Sequence, residues 1–164
     1  WRVLHTPGHA PGHVCLFEEA AGVVIAGDMV ASEGTILIEP RDGDMAMYLS
    51  QLERLADLGA KVALPAHGEP IDAPTKLFRH YIAHRLGREA KIMIALDAAP
   101  AARTIDELVP VVYADTPQFL WPIAKMSLEA HLLKLERDGR ATRERASAEG
   151  AALWSSAAVA PLGT

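Results

Sequence analysis

The feature that most limits the possible folds of this chain is a nine-residue loop that contains three histidines. Apolar segments typical of short strands lie on both sides of it, at 2–5 and 13–18. Glycine and proline fix the backbone of such a loop and leave room around it, so that imidazoles can be directed at one point. We therefore predict two strands joined by a chemically active loop. The loop reads His5-Thr6-Pro7-Gly8-His9-Ala10-Pro11-Gly12-His13.

Two more polar residues stand beside glycine at the end of a predicted strand. Asp28 follows the apolar segment 23–26, and His67 follows the segment 61–65. Imidazole nitrogens and a carboxylate suit zinc, and also iron or manganese. The pattern predicts a metal site on the rim of a sheet. The three loop histidines cannot all bind one ion, and their spacing does not say which of them do.

The segments around these residues predict a mixed α/β layer. Apolar residues recur at intervals of three and four over 44–58, which predicts a helix that Asp42 or Asp44 caps and Gly59 ends. The segment 35–38 is a candidate for one more extended piece.

The second half of the sequence predicts three helices and a hairpin. A long helix is expected over 73–97 with Asp72 as its N-cap, a second begins at the capping box of Thr104, and a third covers 117–138. The segments 140–147 and 151–156 alternate like the two strands of a wing, which gives the element order of a winged helix.

Composition excludes several classes of protein. Half of the residues are hydrophobic and 23% are charged, which is typical of a globular chain, and no apolar run is long enough to span a membrane. The single cysteine, Cys15, excludes an internal disulfide and a multi-cysteine zinc finger, and it fits a reducing, cytoplasmic location.

The charge is unevenly distributed. Residues 1–72 contain four Lys/Arg and eleven Asp/Glu, a balance of −7, whereas residues 73–164 have a balance of +2, and the total is −5. This argues against nucleic-acid binding over the whole surface and indicates two modules with different roles.

Three of these motifs resemble the third, fourth and fifth motifs of the metallo-β-lactamase fold. They are His5-Thr6-Pro7-Gly8-His9, Ala26-Gly27-Asp28 and Pro65-Ala66-His67-Gly68, in the family's order. The resemblance implies that His9 binds a first metal, that His67 binds a second, and that Asp28 is the catalytic carboxylate bridging both. The metals would be two zinc ions, with iron or manganese as alternatives. His5 and His13 would fix the loop without binding metal.

The resemblance continues beyond the sheet. Segments around Ser32, Leu52, Tyr81 and His131 look like the branch with a β-lactamase-associated winged-helix tail, of the β-lactamase-like protein 2 type. We therefore expect an α/β fold: the second half of a metallo-β-lactamase αββα sandwich over 1–75, then a helical linker and winged-helix domain over 76–164.

One family element, His-x-His-x-Asp-His, does not occur in this sequence. We therefore expect that a missing N-terminal half supplies four further ligands, and that this chain alone binds metal weakly and is inactive. An apolar sheet face left uncovered by that half would favour a homo-oligomer.

In the intact protein the resemblance implies a hydrolase, in which a hydroxide activated by two metals attacks an ester, thioester or phosphodiester. The partner would be a small-molecule substrate or RNA. The alternatives are a nucleic-acid-binding winged-helix module and a single-strand endoribonuclease. Four arginines at the start of the wing are nearly balanced by acidic neighbours, which favours a solvated surface there. They are Arg137, Arg140, Arg143 and Arg145.

Another histidine pair lies outside these motifs. His80 and His84 are four residues apart on the predicted long helix, and no glutamate stands between them. We interpret them as surface residues.

Overall fold

The structure is a computed structural model that describes residues 1–145 and 151–157. It divides into two compact units, residues 1–86 and 87–164, and the division falls within one long helix. No helix in the described part of the chain is long and apolar enough to cross a membrane.

The first unit is built on a five-stranded sheet whose strands are neighbours in chain order. β3 and β4 run parallel and the other pairs are antiparallel. Residues alternate between the two faces, and the buried face is apolar from Leu4 on β1 to Ala63 on β4. The strands are β1 (Arg2–His5), β2 (Val14–Glu18), β3 (Val23–Gly27), β4 (Val62–Pro65) and β5 (Ile71–Asp72).

Helix α1 (Met45–Ala56) connects the two parallel strands. Its first turn is capped by Asp44, whose carboxylate accepts a hydrogen bond from the amide of Met47 at 2.9 Å. Its apolar face is buried, and Tyr48 on that face donates a hydrogen bond to the carbonyl of Met29 at 2.8 Å. The sequence prediction of a helix over 44–58 is confirmed.

Helix α2 (Pro74–Asp97) begins in the first unit and ends in the second. The second unit adds α3 (Ile105–Val112), a short 3₁₀ turn (Gln118–Leu120), α4 (Trp121–Arg137) and the antiparallel pair β6 (Ala141–Arg145) and β7 (Ala152–Ser156). Trp154 of β7 is buried, and its amide and carbonyl also bond to Arg103, each at 2.8 Å. This is the element order of a winged helix. The end of the first predicted wing segment, residues 146–147, lies outside the described residues.

Two local predictions are wrong. Residues 35–38 form no strand; instead the carbonyl of Leu37 contacts the His9 ring and the carbonyl of Ile36 accepts a hydrogen bond from Arg85. Asp72 does not cap α2, since it is the last residue of β5, where it pairs with Val62.

Candidate metal centre

The histidine loop is held against the start of α1. The amide of Thr6 donates to the carbonyl of His13 at 2.9 Å and closes the loop, while the amide of Asp44 donates to the carbonyl of Gly8 at 2.7 Å. Gly8 has φ of 140°, and a Cβ there would lie 2.3 Å from the Cα of Tyr48. Only glycine allows this approach, which sets the position of the next residue, His9.

His9 presents one ring nitrogen to the centre. Its Nδ1 lies 3.0 Å from the carbonyl of Leu37, which can only accept, so the proton of the neutral ring is on Nδ1. Nε2 therefore keeps its lone pair, and it lies 3.8 Å from Oδ2 of Asp28. A carbonyl that fixes the tautomer in this way is the usual support of a metal-binding histidine.

Asp28 lies between two imidazoles. It follows β3 directly after Gly27, and its Oδ1 lies 3.3 Å from Nε2 of His67 while Oδ2 faces His9. About a third of the Asp28 and His9 side chains is exposed, and three quarters of the His67 side chain. The carboxylate thus offers a different oxygen to each histidine.

His67 reaches Asp28 because β3 and β4 are parallel neighbours that end at the same edge of the sheet. The amide of Ala66 donates to the carbonyl of Gly27 at 3.0 Å and ties the two ends together. Ser32 secures the loop beyond: its hydroxyl accepts from the amide of Glu69 at 2.8 Å, and its amide donates to the carbonyl of His67 at 3.4 Å.

The other two loop histidines form hydrogen bonds with groups other than the Asp28 carboxylate. Nε2 of His13 lies 3.0 Å from the amide nitrogen of Asp28 and its Nδ1 lies 2.8 Å from the hydroxyl of Thr6. Burial, together with the neighbouring His9, lowers the pKa of His13, which favours the neutral ring. His5 bonds through Nε2 to the carbonyl of Pro11 at 2.8 Å.

The donor types fit a centre of two metal ions, but their number falls short. Each ion would receive one imidazole nitrogen and one carboxylate oxygen, whereas zinc usually takes three or four protein ligands. Within residues 1–145 and 151–157, no three His, Cys, Asp or Glu side chains are arranged to hold one ion. His9, Asp28 and His67 therefore fit part of a two-ion centre.

His80 and His84 lie on α2 as exposed residues. They line a cavity of about 190 Å³ together with Gly34, Thr35 and Tyr81, and none of the predicted metal ligands lines it.

Two of the four arginines at the start of the wing lie close to acidic side chains of the same unit. Arg143 lies 3.2 Å from Glu136 and its guanidinium stands 5.4 Å from the ring centre of Trp154. Arg140 lies 3.6 Å from Glu89. These guanidinium groups are engaged within the protein.

Sequence reasoning missed three supporting groups: the hydroxyl of Thr6, the carbonyl of Leu37 and the hydroxyl of Ser32. Thr6 and Ser32 stand close to the histidine motifs in sequence or in space, and both are small polar residues beside apolar segments. Nothing in the sequence marks the Leu37 carbonyl, because every residue has one.

Two family profiles match the chain. Residues 1–67 match the Metallo-beta-lactamase superfamily, and residues 104–154 match the Beta-lactamase associated winged helix domain.

Individual relatives agree with these matches. The chain is 36% identical over 140 residues to the Beta-lactamase-like protein 2 homolog of Drosophila melanogaster, covering 85% of this chain and 46% of that protein. It is 33% identical over 154 residues to the Atrochrysone carboxyl ACP thioesterase of Aspergillus chevalieri, covering 87% of this chain and 47% of that protein. The crystal structure of a Beta-lactamase domain protein from Burkholderia ambifaria aligns with a TM-score of 0.83 at 27% identity, covering 96% and 47%.

The chain thus spans about half the length of the relatives that it matches. The two profile matches, the fold and the relatives named above all indicate the same family. The chain belongs to the metallo-β-lactamase superfamily through residues 1–67 and carries a β-lactamase-associated winged-helix domain over residues 104–154.

Proposed function

We propose that this chain supplies part of the two-metal centre of a hydrolase that acts on esters or thioesters. The observation that carries the proposal is the position of Asp28, whose two carboxylate oxygens face His9 and His67 separately, at 3.8 and 3.3 Å. A carboxylate with an imidazole at each oxygen is suited to bridge two cations, one beside each histidine.

Each residue has a distinct part in this proposal. His9 would bind one ion and His67 the other, both through Nε2, and Asp28 would bind both. Zinc fits the donors best, and iron or manganese also fits. When bound, two ions at such a site activate a water molecule and stabilise negative charge on the substrate oxygens. The Leu37 carbonyl keeps His9 in the tautomer that binding requires.

Charge favours an ester or thioester over a phosphodiester polymer. The centre lies in the acidic part of the chain, where residues 1–72 have a balance of −7 and would repel a polyanion. Two wing arginines, Arg140 and Arg143, are paired with Glu89 and Glu136. A relative of similar sequence is named as a thioesterase. These observations disfavour the endoribonuclease and the nucleic-acid module.

Zinc binding by the chain tests the assignment of the ligands. Because each ion finds two ligands here, we expect weak binding, which is best followed by NMR of the histidine rings during titration with Zn²⁺. Asp28→Asn removes the shared charge and is expected to weaken binding more than about tenfold. His5→Ala is the matched control, because His5 lies in the same loop and its ring bonds to the carbonyl of Pro11. Equal affinities for wild type and Asp28→Asn contradict the proposal.

Activity needs a protein in which the remaining ligands are present. There we expect zinc-dependent hydrolysis of acyl thioesters that Asp28→Asn abolishes and His5→Ala retains. The isolated 164-residue chain is expected to show none above background. Hydrolysis of phosphodiesters in preference to thioesters would contradict the substrate class, and activity unaffected by Asp28→Asn would contradict the site.

A further inference from the structure

A relay of four hydrogen bonds joins the amide of Asp28 to the carbonyl of Ala26. It starts at the amide of Asp28, which lies 3.0 Å from Nε2 of His13, and continues from Nδ1 of His13 to the hydroxyl of Thr6 at 2.8 Å. The Thr6 hydroxyl lies 3.3 Å from Sγ of Cys15, and that sulfur lies 3.4 Å from the carbonyl of Ala26. Three side chains therefore join the two backbone groups on either side of Gly27.

The direction of every bond in this relay follows from its two ends. The Asp28 amide can only donate, so Nε2 of His13 accepts and the neutral ring carries its proton on Nδ1. That proton is donated to the Thr6 hydroxyl. Because the Cys15 thiol donates to the Ala26 carbonyl, its sulfur accepts from Thr6 at 3.3 Å, while the His13 carbonyl lies farther from the hydroxyl, at 3.5 Å. Each member uses one donor and one acceptor within the relay.

The relay is built into the end of β3. Thr6 and Cys15 are fully buried, so their hydrogen bonds do not compete with water. Gly27 has φ of 54°, and a Cβ there would lie 2.6 Å from Nε2 of His13. The glycine is therefore required both for the turn and for the close approach of the imidazole.

We propose that His13 is a positioning residue for Asp28. By holding the Asp28 amide, the His13–Thr6–Cys15 relay fixes the turn from which the carboxylate extends between His9 and His67. His13 cannot serve as a metal ligand in this arrangement, because both of its nitrogens are engaged. The relevance of the relay to catalysis rests on the proposed function, whereas its hydrogen bonding does not.

The first test is the tautomer of His13 in the metal-free chain. Long-range ¹H–¹⁵N NMR of the histidine rings distinguishes a proton on Nδ1 from one on Nε2. We expect the Nδ1–H form for His13, which is the less common form of free histidine, and we expect Thr6→Val to change the His13 signals while the chain stays folded. An Nε2–H tautomer, or signals that Thr6→Val leaves unchanged, would overturn the relay.

The second test separates positioning from packing. His13→Leu keeps a side chain of similar bulk but offers no acceptor to the Asp28 amide. His13→Gln, in contrast, places an amide oxygen near the position of the former Nε2. We expect His13→Leu to shift the Asp28 amide signal and to weaken Zn²⁺ binding by about 10- to 100-fold, and His13→Gln to restore most of it. His5→Leu is the matched control and should change neither. Equal effects of Leu and Gln at position 13 would show that packing alone matters.

Failure of this inference is distinguishable from failure of the proposed function. If Zn²⁺ leaves the rings of His9 and His67 unperturbed in the wild-type chain, the proposed ligands are wrong, and the tautomer of His13 still decides whether the relay exists. If Zn²⁺ perturbs both rings and His13→Leu binds as tightly as wild type, the ligands stand and the positioning role falls. Should His13→Leu fail to fold, Thr6→Val supplies the same comparison.

Discussion

Single glycines decide where the histidines of the candidate centre can lie. Gly8 lets the loop approach the backbone of Tyr48. Gly68, the residue after His67, lies against Ser32, and a Cβ at position 68 would lie 1.9 Å from the Ser32 hydroxyl oxygen. Tyr48 cannot yield, because its side chain is fully buried and its hydroxyl is bonded to Met29. Burial also raises the pKa of Tyr48 well above its usual range, so the phenol remains a neutral donor.

Gly8→Ala is therefore expected to destabilise the first unit. The new Cβ would meet the Tyr48 backbone at 2.3 Å and would sit at φ of 140°, which side chains rarely adopt. We expect the free energy of unfolding to fall by about 3 kcal/mol. Urea denaturation followed by amide signals of the first unit measures it, and the ring signals of His9 report its displacement.

Gly12 provides the matched control, since it lies in the same loop and a Cβ there meets no atom within 4 Å. Gly12→Ala should leave the free energy of unfolding within about 0.5 kcal/mol of the wild type. Equal losses for the two variants would show that the contact with Tyr48 is not the cause, since the lower chain entropy of alanine acts to stabilise the fold in both.

At the scale of elements, one buried carboxylate joins two helices of the second unit. Glu89 of α2 is 2% exposed, and its oxygens lie 3.4 Å from Nδ1 of His131 and 3.2 Å from Nζ of Lys134, both on α4, while Arg140 lies 3.6 Å away. Burial acts to raise the pKa of Glu89, but the hydrogen bond with His131 and the charge of Lys134 outweigh it and lower the pKa.

This lowered pKa predicts how the second unit responds to pH. A carboxyl whose pKa is lower in the folded state stabilises the fold fully above its unfolded pKa, and that contribution is lost as the pH falls through the folded pKa. We expect Glu89→Gln to cost about 2 kcal/mol at pH 7, because it replaces the charged acceptor of the buried hydrogen bonds from His131 and Lys134 by a neutral one, and to flatten the acid dependence. Hydrogen exchange of α4 amides between neutral and acid pH measures both effects.

An exposed ion pair in the same unit is the control. Asp106, about three quarters exposed, pairs with Lys125, and Asp106→Asn should change α4 exchange by less than about 0.5 kcal/mol. If Glu89→Gln retains the acid dependence of the wild type, another group is responsible for it.

Helices and strands were predicted best where capping or terminating residues agree with the periodicity of the apolar residues. Thr104 and Glu107 form the predicted capping box, with the Thr104 hydroxyl accepting from the Glu107 amide, and α3 begins there. The prediction at 35–38 failed, because apolar residues bury there equally well without pairing as a strand. The motifs also indicated His9, Asp28 and His67, which the fold brings together. The contact of His9 with the Leu37 carbonyl could not be predicted, because every residue type has a backbone carbonyl. Their metal-binding roles stay predictions.

At the scale of the whole molecule, the sheet has an apolar row on its second face. Strand register places Val3, Leu16, Ile25 and Leu64 opposite one another across β1 to β4. Val3 is 65% exposed and Ile25 38%. A continuous apolar row of this kind is unusual on a free surface, and sheets with such faces commonly pack against another sheet.

We expect the isolated chain to cover this row with a second copy of itself, because identical apolar rows can pack face to face about a two-fold axis. The double variant Val3→Lys/Ile25→Lys should shift light-scattering mass on gel filtration toward the monomer at equal concentration, while near-UV circular dichroism remains unchanged. Glu19→Lys makes the same change of two charges at an exposed position off the row and should associate like the wild type. Should the wild type remain monomeric across the accessible concentrations, or should Glu19→Lys dissociate it equally, the apolar row is not the contact. Both variants take the net charge from −5 to about −3 and so reduce repulsion between copies alike, which leaves burial of the row as the difference between them.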